Sequence, residues 1–219
     1  MRTIQTDVFQ YDELDDDAKA KARGWYREAS AGDDFYAECA TDEFHDVLKA
    51  CGFNVDKKHG LAWSGFWSQG DGAAFSGTWY ASDCKPAKWL AERPATHTAP
   101  EGGINTCGYN KRWHDAIAPL VELAAQYPHA SASIETSHRG NNMRLESFDI
   151  GCDEESTARP LSLKAIEAIE ERFIDAARGL ASAFYRTLEA EYDYQNADAQ
   201  VAETIIANEY EFTAEGRRI

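Results

Sequence analysis

The chain has 219 residues, of which 43% are hydrophobic and 12% aromatic, and it carries a formal net charge of −16 at pH 7. This size and hydrophobic content allow a buried core without disulfide or metal crosslinks. The acidic balance argues against direct binding of duplex DNA or RNA, because neutralised phosphates supply much of that affinity. No apolar run approaches the roughly 18 residues of a membrane span, and the first residues do not resemble a signal peptide. We therefore expect a cytoplasmic protein that does not insert into membranes.

The cysteines and histidines predict neither a cofactor nor a metal site. The five cysteines are odd in number and form no CxxC pair, and the chain has no HExxH or phosphate-binding glycine motif. We expect reduced thiols that pack as small apolar side chains. These cysteines are Cys39, Cys51, Cys84, Cys107 and Cys152.

The first fifty residues predict a strand followed by two helices. Residues 3–9 place Ile4 and Val8 on one face and predict a first strand, and acidic residues then precede a helix over 15–29. A second helix over 34–51 ends at Gly52, which suits a helix C-cap. Its apolar stripe consists of Ala40, Phe44, Val47, Leu48 and Cys51.

An aromatic stretch at 62–81, AWSGFWSQGDGAAFSGTWYA, predicts a β-hairpin. Its strands cover 61–67 and 74–81 around a glycine-containing turn, and a short strand over 53–58 precedes it. Because side chains alternate across a strand, one face can pack on helices while the other holds a ligand or partner. The binding residues predicted here are Trp63, Trp67, Asp71, Phe75 and Trp79.

The second half of the chain predicts four helices and a second hairpin. The elements are a short helix over 86–92, a helix over 109–126, strands over 130–138 and 143–151, a long helix over 161–194 and a last helix over 198–208. A phase slip in the second strand predicts a bulge near Ser147. The Pro- and Gly-rich residues 93–108 read as an irregular loop, and the tail docks through Tyr210 and Phe212.

These elements predict an α+β fold. Hairpins imply an antiparallel sheet, and the amphipathic helices pack on it, with one long helix near the C-terminus. We expect a single domain over 1–219, with sub-lobes 1–108 and 109–219 as an alternative division.

A local basic spot stands out in this acidic chain. His138 and Arg139 lie in the predicted second turn, where an imidazole and a guanidinium could bind a phosphate or carboxylate, although exposed turn residues are the simpler interpretation. His45, between acidic neighbours on the second helix, is expected to be exposed. No catalytic constellation is predicted, so an enzyme that uses Asp71, His138 and Arg139 is the third of three hypotheses.

Acidic residues cluster rather than spread along the chain. Such clusters are typical of a solubilising surface, a binding surface for a basic protein, or a mimic of nucleic acid. The predicted acidic surface comprises Asp12, Glu13, Asp15, Asp16, Asp17, Glu38, Asp42 and Glu43.

Three segments resemble a known family. VFQYDELDDDAKAKARGWYRE, FWSQGDGAAFSG and AETIIANEYEFTAEGRR are similar to proteins of tailed bacteriophages and prophages commonly labelled "antitoxin of toxin–antitoxin stability system". The resemblance covers both ends and the centre of the chain. It implies a phage or mobile-element origin, action in the cytoplasm of a bacterial host, and a role in blocking a host or rival system. It implies no catalytic residues.

Two functional hypotheses precede the enzyme hypothesis. The first is a non-enzymatic, stoichiometric inhibitor of a toxin or defence protein, which in its sharper form presents a nucleic-acid-mimicking acidic surface to a basic nucleic-acid-binding protein. The alternative is a small-molecule binder that sequesters a signalling nucleotide on the aromatic hairpin. A homodimer through the long helix stays open.

Overall fold

The computed structural model describes residues 7–32, 34–56, 59–95, 106–136, 142–151 and 161–219. In chain order its elements are β1 (Phe9–Gln10), a 3₁₀ turn (Tyr11–Glu13), α1 (Asp16–Ala29), α2 (Phe35–Ala50), β2 (Cys51–Val55), β3 (Leu61–Ser64), β4 (Gly72–Phe75), β5 (Gly77–Cys84), α3 (Ala87–Glu92), α4 (Thr106–Gln126), β6 (Ser131–Thr136), β7 (Met143–Asp149), α5 (Leu163–Asn196), α6 (Asp198–Ala207) and β8 (Glu211–Phe212). The strands pair antiparallel throughout these ranges. The predicted α+β fold with a long C-terminal helix is confirmed.

The chain divides into two compact units. Met1–Ala37 and Ala190–Ile219 form one, called the terminal unit below, and Glu38–Glu189 form the other, called the central unit. These segments differ from the alternative sub-lobes 1–108 and 109–219, and the single domain stays a prediction.

The terminal unit is built on α1, α6 and the short β1–β8 ladder. Asp15 caps α1 by accepting a 2.8 Å hydrogen bond from the backbone N–H of Ala18, as the acidic helix start predicted. The first strand is shorter than predicted in the described residues, because it begins only at Phe9, and Val8 is 46% exposed. Ile4 lies outside the described residues. The unit's core contains Tyr11, Leu14, Ala18, Ala22, Val201, Ile205 and Phe212.

The C-terminal tail docks on α1 through aromatic rings, as predicted. Trp25 meets Tyr210 and Phe212 edge-to-face, with centroid distances of 5.3 and 5.8 Å. The guanidinium of Arg218 lies over the Tyr210 ring at 5.0 Å. Phe212 is fully buried, so the tail is part of the unit's core.

An ion-pair cluster ties α1 to the start of α6. Asp198 contacts Arg23 at 3.2 Å and Arg27 at 2.5 Å, and Arg27 also donates to the carbonyl oxygen of Asn196. The hydrogen bond from Arg27 lowers the pKa of Asp198, and the charges of both arginines lower it further. Asp198 therefore stays ionised and joins the two helices.

The central unit contains a four-stranded sheet with the order β2-β5-β6-β7. The prediction of one long aromatic hairpin is wrong, because β3 and β4 form their own two-stranded sheet and β5 joins the larger one. The chain changes sheets at Ser76, whose hydroxyl accepts a hydrogen bond from the backbone N–H of Thr136 at 2.9 Å. The register places Glu146 as an extra residue between the pairs of Ser147 and Leu145, so the bulge lies beside its predicted position.

An aromatic core surrounds Phe44, with side chains contributed by α2, α4, α5 and β4. Its ring stacks on Phe184 at 4.4 Å with an interplanar angle of 8°, on Trp113 at 5.7 Å, and meets Phe75 edge-to-face at 5.8 Å. All four rings are fully buried. The predicted apolar stripe of α2 is confirmed, but His45 is 8% exposed, so its predicted exposure is wrong.

The described cysteines are unpaired thiols in different environments. Cys51 and Cys84 face each other across β2 and β5, and burial raises the pKa of the Cys84 thiol to about 11. Cys39 is exposed, so it does not pack as predicted. Cys107 and Cys152 belong to the part of the sequence whose side chains are not described.

The helices in the described ranges include none that is long and apolar enough to cross a membrane.

Replacement of Gly216 by alanine should destabilise the terminal unit. Gly216 has φ +77°, and an added Cβ would overlap the carbonyl oxygen of Ala18 on α1. We expect Gly216→Ala to lower the free energy of unfolding by about 2–4 kcal/mol. Gly24→Ala is the matched control, because a Cβ at Gly24 meets nothing within 4 Å and alanine favours a helix by about 1 kcal/mol. Urea denaturation checks both variants, and equal stabilities would contradict the close packing.

The Asp198 ion pairs should make stability depend on pH. The pKa of Asp198 in the folded protein lies below its ordinary 3.8, so the stabilisation is present above pH 3.8 and is lost as the pH falls through the folded-state pKa. Asp198→Asn should therefore be less stable than wild type at pH 7, with the difference shrinking in acid. Asp193→Asn removes a nearby exposed carboxylate and should leave stability unchanged. Denaturant unfolding of wild type, Asp198→Asn and Asp193→Asn, from pH 7 to below pH 3.8, measures these differences in stability.

Candidate functional site

The segment Gly65–Asp71, which links β3 to β4, is called the aromatic loop below. Its shape depends on Asp71, whose carboxylate accepts hydrogen bonds from the backbone N–H of Ser68 at 2.5 Å and from the hydroxyl of Ser64 at 3.3 Å. Asp71 therefore acts as a turn-forming residue, which is a common role for aspartate before glycine.

Phe66 is the centre of a small ring cluster in the aromatic loop. It stacks on Trp63 at 6.1 Å with an interplanar angle of 20°, and meets Trp67 edge-to-face at 5.8 Å. Trp63 is half-buried, whereas Trp67 is 75% exposed. The loop thus presents a tryptophan to solvent on a support of other rings.

Helix α5 supports the aromatic loop from outside the hairpin. The Tyr185 hydroxyl donates a 2.6 Å hydrogen bond to the carbonyl oxygen of Gly65, and the Tyr185 ring lies 5.7 Å from Phe66. Burial raises the pKa of Tyr185, and the charges of Asp71 and Glu189 raise it further, so the phenol keeps the proton that it donates. The sequence analysis missed Tyr185, because 120 residues separate it from Gly65.

Two of the predicted binding residues are in the core. Phe75 and Trp79 have no exposed surface, and Phe53 lies against both rings. The Trp79 indole N–H donates to the carbonyl oxygen of Cys51 at 2.9 Å. The prediction that these two rings could form the floor of a binding site is therefore wrong. Burial of their large apolar area stabilises the sheet instead.

The other predicted ligand-binding pair, His138 and Arg139, lies outside the described residues.

A cavity of about 280 Å³ lies beside the aromatic loop, and Asp71, Met143 and Tyr185 contribute to its wall. Arg178 also lines this cavity, but it pairs with Asp175 at 3.3 Å and donates to the carbonyl oxygen of Met143. The charges of this cavity are thus largely satisfied within the protein.

The predicted acidic surface near the N-terminus is exposed as a group. This acidic segment, Asp12–Asp17, points its five carboxylates to solvent while Leu14 is buried between them. Glu13 accepts a 2.7 Å hydrogen bond from the backbone N–H of Gln10, and Asp15 caps α1. Within the described part of the chain, Asp12, Asp16 and Asp17 have no ion pair.

The acidic residues on α2 behave in two ways. Glu38 and Asp42 are exposed, as predicted. Glu43 is partly buried and contacts Arg93 at 3.1 Å. Burial raises the pKa of Glu43, while Arg93 opposes that shift. Glu43 is therefore an internal ion-pair residue, and its assignment to the acidic surface is wrong.

The sequence analysis also missed a cavity of about 540 Å³ in the terminal unit. Its wall includes Tyr26, Tyr36, Tyr192 and Tyr194, which come from three segments of the chain. A sequence signal for it is the tyrosine-rich end of α5.

Among the described residues, no group of three or more His, Cys, Asp or Glu side chains could hold a metal ion.

Removal of the Tyr185 hydroxyl should loosen the aromatic loop. Tyr185→Phe keeps the ring against Phe66 but removes a hydrogen bond that contributes about 1 kcal/mol. We expect faster amide hydrogen exchange in the aromatic loop, about fivefold by that energy, with no change in β5 and β6. Tyr80→Phe is the control, because Tyr80 is 45% exposed and lies outside this cluster. Unchanged exchange in Tyr185→Phe would contradict the role of Tyr185 as a support.

Comparison with known proteins gives one match. Residues 36–198 match the family described as a domain of unknown function, DUF8835, while the acidic segment lies outside the matched range. No curated protein and no solved structure matches the chain. Because the match covers most of the 219 residues, the chain belongs to the DUF8835 family.

Proposed function

We propose that this protein is a non-enzymatic, stoichiometric binder that inhibits a basic protein through its acidic surface. The observation that carries the proposal is the acidic segment, in which exposed carboxylates stand on a buried framework and Asp12, Asp16 and Asp17 have no ion pair with any described residue. The target would be a toxin or defence protein in the cytoplasm of a bacterial host. That target class rests on the resemblance to tailed-phage and prophage proteins.

The acidic segment is arranged before any partner binds. Tyr11, Leu14 and Ala18 are buried at 5%, 5% and 2% exposure, and they fix the backbone on which the carboxylates stand. A rigid binding surface loses little conformational entropy on association, which favours affinity.

Two cations near the acidic segment, Lys19 and Arg23, contact other residues of the terminal unit. Lys19 lies 6.0 Å from the centre of the Tyr11 ring, and Arg23 donates to the Tyr11 hydroxyl at 2.7 Å while it pairs with Asp198. The five exposed carboxylates of the acidic segment outnumber these two cations, so the local field stays negative. Such a field accelerates association with a basic surface and discriminates against acidic partners.

A second acidic row lies on α2. Glu38, Asp42 and Asp46 are exposed and four residues apart, so they lie on one face at intervals of about 6 Å. Regularly spaced carboxylates of this kind support the sharper form of the proposal, in which the protein imitates a phosphate backbone. A partner that binds nucleic acid would recognise such a row.

The nucleotide-binding alternative has less support. It relied on a face made by Trp63, Trp67, Phe75 and Trp79, of which the last two are buried. Trp67 remains an exposed ring on which a base could stack, but it is also a suitable anchor for a protein partner.

Neutralising the acidic segment should abolish partner binding. Asp12→Asn, Asp16→Asn and Asp17→Asn together remove three unpaired charges and leave both capping carboxylates in place. We expect at least about a tenfold loss of the retained partner in pull-downs from host cells, and a loss for wild type between about 50 and 300 mM salt. Quantitative mass spectrometry of the retained proteins and small molecules is the measurement.

A triple variant with the same charge change serves as the control. Glu122→Gln, Glu167→Gln and Glu203→Gln alter exposed carboxylates elsewhere and should leave the retained partner unchanged. Retention of the same protein by both triple variants would disprove the role of the acidic segment. Binding that survives high salt would remove the mimicry but leave a binder, and a nucleotide as the only retained molecule would favour the alternative.

A further inference from the structure

The tyrosine-lined cavity of the terminal unit has the size and lining of a ligand site. Its volume of about 540 Å³ falls within the range of roughly 300–1,000 Å³ that is usual for small-molecule pockets. Tyr26, Tyr36, Tyr192 and Tyr194 contribute to the wall, and all four are half-buried. Neither the family description nor the acidic surface assigns a role to this cavity.

Tyrosine rings contribute aromatic surface to the cavity wall. Tyr36 and Tyr192 meet edge-to-face, with centroids 6.1 Å apart and an interplanar angle of 67°. Both residues also line the cavity, so they contribute aromatic surface to its wall. The face of an aromatic ring carries partial negative charge and attracts a cation within about 6 Å of the centroid.

The charges on the wall also favour a cation. Arg27 lines the cavity, but its guanidinium pairs with Asp198 at 2.5 Å and donates twice to the Asn196 carbonyl oxygen. Asp34 lines the cavity too, and within the described residues it has no ion pair. The carboxylate of Asp34 is therefore available to a bound cation.

The titration of Tyr36 agrees with a negative potential at this end of the cavity. Burial raises the pKa of Tyr36, and the nearby Asp34 and Tyr192 raise it further. The Asp34 carboxylate, which opposes ionisation of Tyr36, would stabilise a positive charge placed beside it.

The same wall disfavours other ligand classes. A phosphate would face Asp34 without a free guanidinium, since Arg27 is committed to Asp198 and Asn196. An uncharged ligand could donate a hydrogen bond to Asp34 but would lack the attraction between opposite charges that a cation gains. We infer that this cavity binds an organic ammonium group, which either a free alkylamine or a lysine side chain of a partner could supply.

Choline and its uncharged analogue 3,3-dimethylbutan-1-ol test the inference directly. The two probes have nearly the same shape, so a difference in affinity isolates the positive charge. We expect the full-length protein to bind choline at least about fivefold more tightly than the alcohol, as measured by titration calorimetry and protein NMR. Equal affinities, or no choline binding up to about 10 mM, would overturn the inference.

Three variants locate the binding within the molecule. Tyr36→Leu should remove most choline binding, whereas Tyr36→Phe should retain it within about twofold, because the ring is kept. Asp34→Asn keeps every ring and should weaken choline but not the alcohol. Asp7→Asn is the matched control, since Asp7 is exposed outside the cavity wall. Circular dichroism checks that each variant is folded, and choline binding unaffected by both Tyr36→Leu and Asp34→Asn would overturn the assignment.

A second pair of probes distinguishes the two sources of the ammonium group. Tighter binding of putrescine than of Nα-acetyl-lysine methylamide indicates a free amine, and the reverse order indicates a lysine side chain. These titrations need no protein partner, so they succeed or fail independently of the pull-downs that test the acidic segment.

Discussion

The fully buried stack of Phe44 on Phe184 is the interaction on which the central unit depends. The two rings lie 4.4 Å apart and are nearly parallel, and they join α2 to α5. Trp113 of α4 and Phe75 of β4 contact the same ring, so three helices and a strand meet there. Aromatic side chains bury large apolar areas, and each contributes roughly 1.5–3 kcal/mol through burial. The position of this core therefore constrains where the chain passes from the two-stranded sheet to the four-stranded sheet.

The aromatic stretch at 62–81 is divided between buried core residues and the exposed aromatic loop. Phe75 and Trp79 enter the core, and the chain changes sheets at Ser76, so that β3 and β4 form a separate hairpin before it. The aromatic loop is left without the support of the larger sheet. Tyr185 on α5 supplies support through one hydrogen bond and one ring contact, so an exposed Trp67 stands on an ordered base. An ordered, exposed tryptophan is the kind of residue that anchors protein interfaces.

In the terminal unit, the same residues combine folding and surface charge. Buried Tyr11, Leu14 and Ala18 alternate with exposed carboxylates, so the acidic segment is rigid because its apolar neighbours are packed. Asp198 pairs with Arg23 and Arg27, and no described cation forms an ion pair with Asp12, Asp16 or Asp17. Folding thus keeps the acidic segment rich in negative charge, and it places Asp34 in the wall of the tyrosine-lined cavity.

Local patterns in the sequence determined the helices and the bulge beside Ser147, because these depend on neighbours within a few residues. The acidic start of α1 and the buried stripe around Phe44 are of this kind. The tail's apolar rings predicted that it docks, but only the tertiary structure showed that Trp25 is the ring they meet. Only the tertiary structure decided that His45 is buried, that Glu43 pairs with Arg93, and that Phe75 and Trp79 are core residues. It also decided the contact of Tyr185 with Gly65 and the gathering of Tyr26, Tyr36 and Tyr192 around one cavity. Periodicity states which face of an element is apolar, but contacts between residues far apart in sequence depend on how whole elements pack.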